Sequence, residues 1–131
     1  MNNFIVGAVV LDSSDKDALA QFYLELLDGE MVESNEHFTQ IKLRTELRLT
    51  FQNAVDYVPP VWPEEPGKPQ QMEHLDILVP DLDKAILIAE KLGAKKADMQ
   101  FVPDMTVMID PAGHPFCMIP MPQELVEAFT K

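Results

Sequence analysis

Apolar and polar positions along the chain lay out one pattern twice, an alternating strand followed by an amphipathic helix. The clearer copy lies at residues 71–93. There Leu75, Ile77 and Val79 point to one face of a strand, and His74 and Asp76 point to the other. Pro80 ends the ladder, and Asp81 stands where a helix N-cap belongs. Leu82, Ala85, Ile86, Ala89 and Leu92 then recur at helical spacing, with Gly93 placed to close the helix. Such a strand buries its apolar face under its own helix and turns an imidazole and a carboxylate the opposite way.

The weaker copy starts at residues 4–11, an apolar run rich in β-branched side chains that predicts a strand. Asp12, Ser13 and Ser14 are turn residues, and Ser14 with Asp17 three positions on resembles a capping box. Ala18, Leu19, Phe22, Tyr23, Leu26 and Leu27 form the buried stripe of a helix ending near Asp28 and Gly29. Short strands are expected at 30–33, 38–43 and 47–52. The pattern stops at 54–69, where Pro59, Pro60, Pro63, Pro66, Gly67 and Pro69 exclude both helix and central strand. Tyr57 and Trp62 lie in or beside this segment. They are expected to pin it to the domain surface, with a lid over a cleft as the sharper alternative. Beyond the second helix, strands are expected at 95–101, 106–110 and 115–119. The turn Asp110, Pro111, Ala112, Gly113 joins the last two, and a short helix follows Pro122.

Laid over one another, the two copies pair Gly7 with His74, Leu11 with Leu78, Ser14 with Asp81 and Ala18 with Ala85. Each is followed by about three strands, so the chain reads as a duplicated βαβββ module. The expected class is α+β: two tandem modules forming a curved eight-stranded mixed sheet, helices on the convex side, a groove on the concave one. Module one spans 1–53, the linker 54–69, module two 70–120, and the terminal helix 122–130. At 131 residues this is one domain. The balance of 22 acidic against 10 basic residues argues against nucleic acid or an anionic membrane as partner. The single cysteine, Cys117, rules out an internal disulfide, and the N-terminal segment lacks the flank and length of a signal peptide or membrane span. A cytoplasmic location is expected.

The stretches LDSSDKDALAQFYLELLDGE, VPPVWP, QQMEHLDILVPDLDKA, KLGAKKAD and VMIDPAGHPFCM follow one another over nearly the whole chain. In this order they resemble the vicinal oxygen chelate superfamily of glyoxalase I, bleomycin-resistance proteins and extradiol dioxygenases, and most closely its small glyoxalase-like domain branch. The resemblance implies four metal-ligand positions, which fall on Gly7, Arg48, His74 and Cys117. Only His74 is a ligand of the family type. Gly7 has no side chain, Arg48 is a fixed cation, and a lone buried cysteine is more often a small hydrophobe. About three protein ligands are needed for a catalytic metal, so no metal cofactor is expected, although a divalent metal is left open. His37 and His114 fall at turn edges and are no obvious replacements.

The groove is expected to persist without the metal. Parity puts Thr50 and Gln52 with Arg48, puts Asp76 and Leu78 with His74, and puts Val9 and Leu11 with Gly7. Arg48, Thr50, Gln52, His74, Asp76 and Cys117 are the candidate ligand-binding residues, and His74, oriented by Asp76, is the best catalytic candidate. The plainer alternative is the wet face of a sheet, with Arg48 and Asp76 paired across it and His74 structural. The resulting expectation is a small-molecule binding protein, with Arg48 favouring an anionic ligand. The alternatives are a metal-dependent lyase, isomerase or dioxygenase, and a non-catalytic interaction module. A homodimer is the other partner considered.

Overall fold

The computed structural model describes residues 1–130, and the chain divides into two compact units, the first Met1–Tyr57 and the second from Val58 on. The first contains β1 (Val9–Ser13), α1 (Lys16–Leu26), β2 (Glu30–Ser34), β3 (Thr39–Lys42) and β4 (Arg48–Asn53). The second repeats the order with β5 (Asp76–Val79), α2 (Leu82–Leu92), β6 (Lys95–Lys96), β7 (Thr106–Ile109) and β8 (Pro115–Pro120), and adds α3 (Gln123–Phe129). Each unit folds its strands into a four-stranded sheet, ordered β1-β4-β3-β2 and β5-β8-β7-β6. In each, the first strand runs parallel to the last while the other pairs are antiparallel. The protein is therefore α+β, built from tandem βαβββ modules with two mixed sheets.

Alternation makes the cores. Leu49 and Phe51 on β4 and Ile41 on β3 are 0% exposed, and α1 lays Leu19, Phe22 and Tyr23 over that face. Tyr23 stacks on Phe51 with ring centroids 5.9 Å apart. Each such side chain contributes about 1.5–3 kcal/mol by leaving water. In the second unit α2 packs on β8 and β6 and buries Ala85 and Ala89, and Phe116 and Met118 of β8 are buried.

Both helices begin on an aspartate. Asp81 Oδ1 accepts the Lys84 N–H, and Gly93 closes α2 in the left-handed conformation at φ 116°. At α1 the cap is Asp15, whose Oδ1 accepts the Ala18 N–H, and Ser14 does not serve. Ser13 Oγ accepts the Asp15 N–H and Asn53 Oδ1 the Lys16 N–H, so the first turn's spare donors are satisfied from two strands. The cap corrects the repeat by one residue. Asp15 matches Asp81, and His74 falls opposite Ala8, not Gly7. It also reverses the first strand's faces: Val9 pairs with Leu49 and Leu11 with Phe51, whereas Val10 and Asp12 lie beside Thr50 and Gln52.

Three strand limits also differ. The run at 4–11 pairs only from Val9, opposite Leu49 near the start of β4; Phe4 and Ile5 are exposed. The strand at 74–79 starts at Asp76, so His74 precedes it, although the Leu75 carbonyl still accepts the Cys117 N–H at 2.9 Å. The strand at 95–101 stops at Lys96, since the Gln100 carboxamide takes over the pairing with Val107. The remaining elements match within one or two residues. Among the described residues no helix is long and apolar enough to cross a membrane.

The proline-rich segment from Val58 packs within the second unit. Pro59 rests against Gly113, and the Val61 N–H bonds the Pro69 carbonyl at 3.0 Å. Trp62 lies on a buried cluster of Ala97, Val107 and Cys117.

Candidate polar site on the second sheet

Strand register assembles this site. Asp76 on β5 pairs with Cys117 on β8, which pairs with Val107 on β7, so all three share the face opposite Ile77 and Met118. His74, just before β5, brings Nε2 to 3.2 Å from Asp76 Oδ1. The imidazole, carboxylate and thiol offer ligand atoms that all lie within 4.8 Å of one another. His74 and Asp76 are exposed while Cys117 is buried beneath them. Burial pushes the Cys117 thiol above its ordinary range, and the negative charge of Asp76 and its hydrogen bond push the same way. Cys117 thus lies next to the His74–Asp76 contact in an environment that disfavours its thiolate. Around it the face turns apolar, with Trp62, Met105, Ile109 and Ile119 packed on the Ala97, Val107 and Cys117 cluster.

The first sheet carries the other expected residues. Arg48 Nη1 donates to Gln40 Oε1 at 3.0 Å, and Gln40 Nε2 donates to Thr50 Oγ1 at 2.9 Å. Gln52 Nε2 donates to Asp12 Oδ1 at 2.8 Å. The six candidates therefore fall into two groups of three, Arg48, Thr50 and Gln52 in one unit and His74, Asp76 and Cys117 in the other. Gln40 and Asp12 join the first group unannounced; the β3–β4 hairpin and the corrected β1 parity were the signals for them. Trp62 joins the second group.

The remaining histidines do other work. His114 Nδ1 is 2.8 Å from Asp110 Oδ2, and Asp110 Oδ1 accepts the N–H groups of Ala112 and His114, which ties the turn before β8. His37 sits exposed, 3.3 Å from Glu36.

Together, the module order, the sheet topology and this face define a protein of the glyoxalase and dioxygenase fold class. The sequence matches the glyoxalase-like domain over residues 8–119, and the chain belongs to that family. Several solved structures share the fold. A glyoxalase family protein from Enterococcus faecalis is 23% identical, with a TM-score of 0.66 over 91% of this chain and 99% of that one. A glyoxalase/bleomycin resistance protein/dioxygenase family enzyme from Burkholderia phytofirmans PsJN is 14% identical, with a TM-score of 0.68 over 88% and 98%. The fosfomycin resistance protein FosX from Listeria monocytogenes is 12% identical, with a TM-score of 0.67 over 92% and 96%. A mutant of FosX has been solved in complex with Mn(II) and a dihydroxypropylphosphonic acid. A search among proteins of curated function returns no match.

Proposed function

We propose that this protein binds a small molecule on the solvent-facing side of its second sheet, centred on His74 and Asp76 with Cys117 beneath them. The observation that carries this is the convergence of imidazole, carboxylate and thiol within 4.8 Å beside the apolar cluster of Ala97, Val107 and Cys117. A few polar groups set among apolar neighbours are the usual make-up of a small-molecule site. Asp76 orients His74 through their 3.2 Å contact, leaving the second ring nitrogen for a ligand or for proton transfer. Arg48, Thr50 and Gln52 form a separate candidate contact set on the first sheet, where a fixed guanidinium suits a carboxylate. The test is a thermal-shift screen of small anionic, neutral and cationic compounds on wild type, His74→Ala, Asp76→Asn and Arg48→Ala. Hits should weaken in the His74 and Asp76 variants; hits indifferent to both would sink the proposal. A cytoplasmic location and a homodimer complete this reading, and a monomeric mass in light scattering would remove the dimer.

A second reading keeps a divalent metal, as in the FosX complex with Mn(II). His74, Asp76 and Cys117 supply about the three protein ligands a catalytic site needs, and their mixed N, O and S donors suit zinc better than manganese. Zinc–ligand bonds of about 2.0–2.3 Å in a tetrahedron hold the ligand atoms about 3.3–3.6 Å apart. A pair at the 4.8 Å limit must therefore close by about 1.2 Å, which side-chain rotation of the exposed His74 and Asp76 would have to supply. The bound ion would supply Lewis acidity and deprotonate the thiol. Cobalt(II) titration decides: a thiolate charge-transfer band lost in Cys117→Ser supports the metal, and its absence in wild type rejects it.

A further inference from the structure

We infer that Trp62 is the aromatic wall of the His74, Asp76 and Cys117 site and makes it selective for a flat, unsaturated ring bearing a hydrogen-bond donor. The inference rests on the binding reading above and adds the class of ligand.

Trp62 does not belong to the sheet; the proline-rich segment delivers it. Pro59 is seated on Gly113 so closely that a Cβ there would lie 2.5 Å from Pro59 Cβ, and the Val61 to Pro69 hydrogen bond closes the loop on the other side. The indole N–H donates to the Met99 carbonyl at 3.3 Å. That bond occupies the ring's one polar atom on backbone, so what remains to present is π surface. The ring packs on the cluster containing Cys117, the residue that pairs with Asp76. Phe101 meets Trp62 edge-on, centroids 5.5 Å apart at 88°, and is itself 63% exposed, so aromatic surface continues outward from the buried floor.

An aromatic wall and a carboxylate impose different demands. The wall favours a planar ring, because offset or edge contacts between aromatic rings add to the area they bury. Asp76 is an acceptor, so the polar end of the ligand must donate. A saturated ring of equal size buries similar area but loses the aromatic contribution, a discrimination of about three- to tenfold. If Trp62 merely anchors its segment, no such discrimination arises.

Phenol and cyclohexanol make a neutral matched pair. Both are titrated into the full chain and read by NMR at the Cys117 amide and at the indole N–H, a single resonance because the chain has one tryptophan. Phenol should move both signals saturably, and cyclohexanol should bind about three- to tenfold more weakly. Trp62→Ala should weaken phenol by a similar factor and make the two compounds equal, while Trp62→Phe should keep the preference and the native spectrum. An unchanged phenol affinity in Trp62→Ala, or a Trp62→Phe variant that binds as weakly as Trp62→Ala, overturns the wall and leaves the binding reading standing. No saturable shift at the Cys117 amide or the indole N–H with phenol also overturns the wall, while the binding reading stands or falls by its own screen.

Discussion

Two glycines with positive φ give a controlled measurement of how tightly the proline-rich segment is strapped down. Gly113 has φ +93° and Gly67 has φ +76°, so alanine at either position is forced into the left-handed region. That conformation costs about 1–2 kcal/mol, offset in part because alanine also restricts the unfolded chain by about 0.4–1 kcal/mol. The surroundings differ sharply. A Cβ on Gly67 meets nothing within 4 Å, whereas a Cβ on Gly113 comes to 2.5 Å from Pro59 Cβ and 3.4 Å from its Cγ. Both contacts are atoms of a closed ring with no rotamer to escape into. Relief requires a backbone shift, of the kind that costs about 1–3 kcal/mol when a packed site is overfilled. Gly67→Ala should therefore lose about 1 kcal/mol and Gly113→Ala about 2–4 kcal/mol. Urea denaturation followed by tryptophan emission measures both, and the lone tryptophan lies three residues from Pro59. The native emission should also change in Gly113→Ala alone, because lifting Pro59 disturbs Trp62. Equal losses in the two variants would refute the close contact and with it the strap.

Two titrations should also register. Burial and Asp76 raise the Cys117 thiol, so the folded state disfavours the thiolate. Its contribution to stability is present below the ordinary thiol range and lost as pH rises through the raised value. Denaturation at increasing alkaline pH should show that decline, flattened in Cys117→Ala, and at neutral pH iodoacetamide should alkylate the folded protein far more slowly than the unfolded chain. Asp17 is shifted the other way, first by the Thr39 hydroxyl and then by Lys16, which also donates to it. A depressed carboxylate contributes stability above its ordinary range that disappears as pH falls through the depressed value. The acid limb of a melting-temperature profile should be shallower in Thr39→Val.

The modules were legible because two independent periodicities agree in each, period two along the strand and 3.6 along the helix, with caps at the junctions. The one-residue slip between the copies has a local cause. Ser13, Ser14 and Asp15 are all cap-type residues, and only the fold decides that Ser13 bonds Asp15 while Asp15 caps the helix. Because strand faces alternate, that slip exchanged Val9 and Leu11 for Val10 and Asp12. At the candidate site, parity alone put His74 and Asp76 on one face, but the meeting of Asp76 with Cys117 depends on the β5–β8 register, which neither strand encodes by itself. Trp62 was legible as an anchor or a lid but not as a neighbour of Cys117, since proline-rich sequence has no period from which to read a partner.

The shortness of β6 bears on how this molecule keeps apart from others. β6 is an edge strand of only two residues, which would leave the rim of β7 open beyond it. Gln100 fills that opening: its carboxamide donates to the carbonyls of Ala97 and Val107 and accepts the Val107 N–H at 2.8 Å. One side chain thus imitates the next stretch of backbone without offering a further rim of its own. A strand from a neighbouring molecule finds no free ladder to extend at Val107, so a single glutamine supplies protection against edge-to-edge aggregation that many sheets obtain from charge or proline.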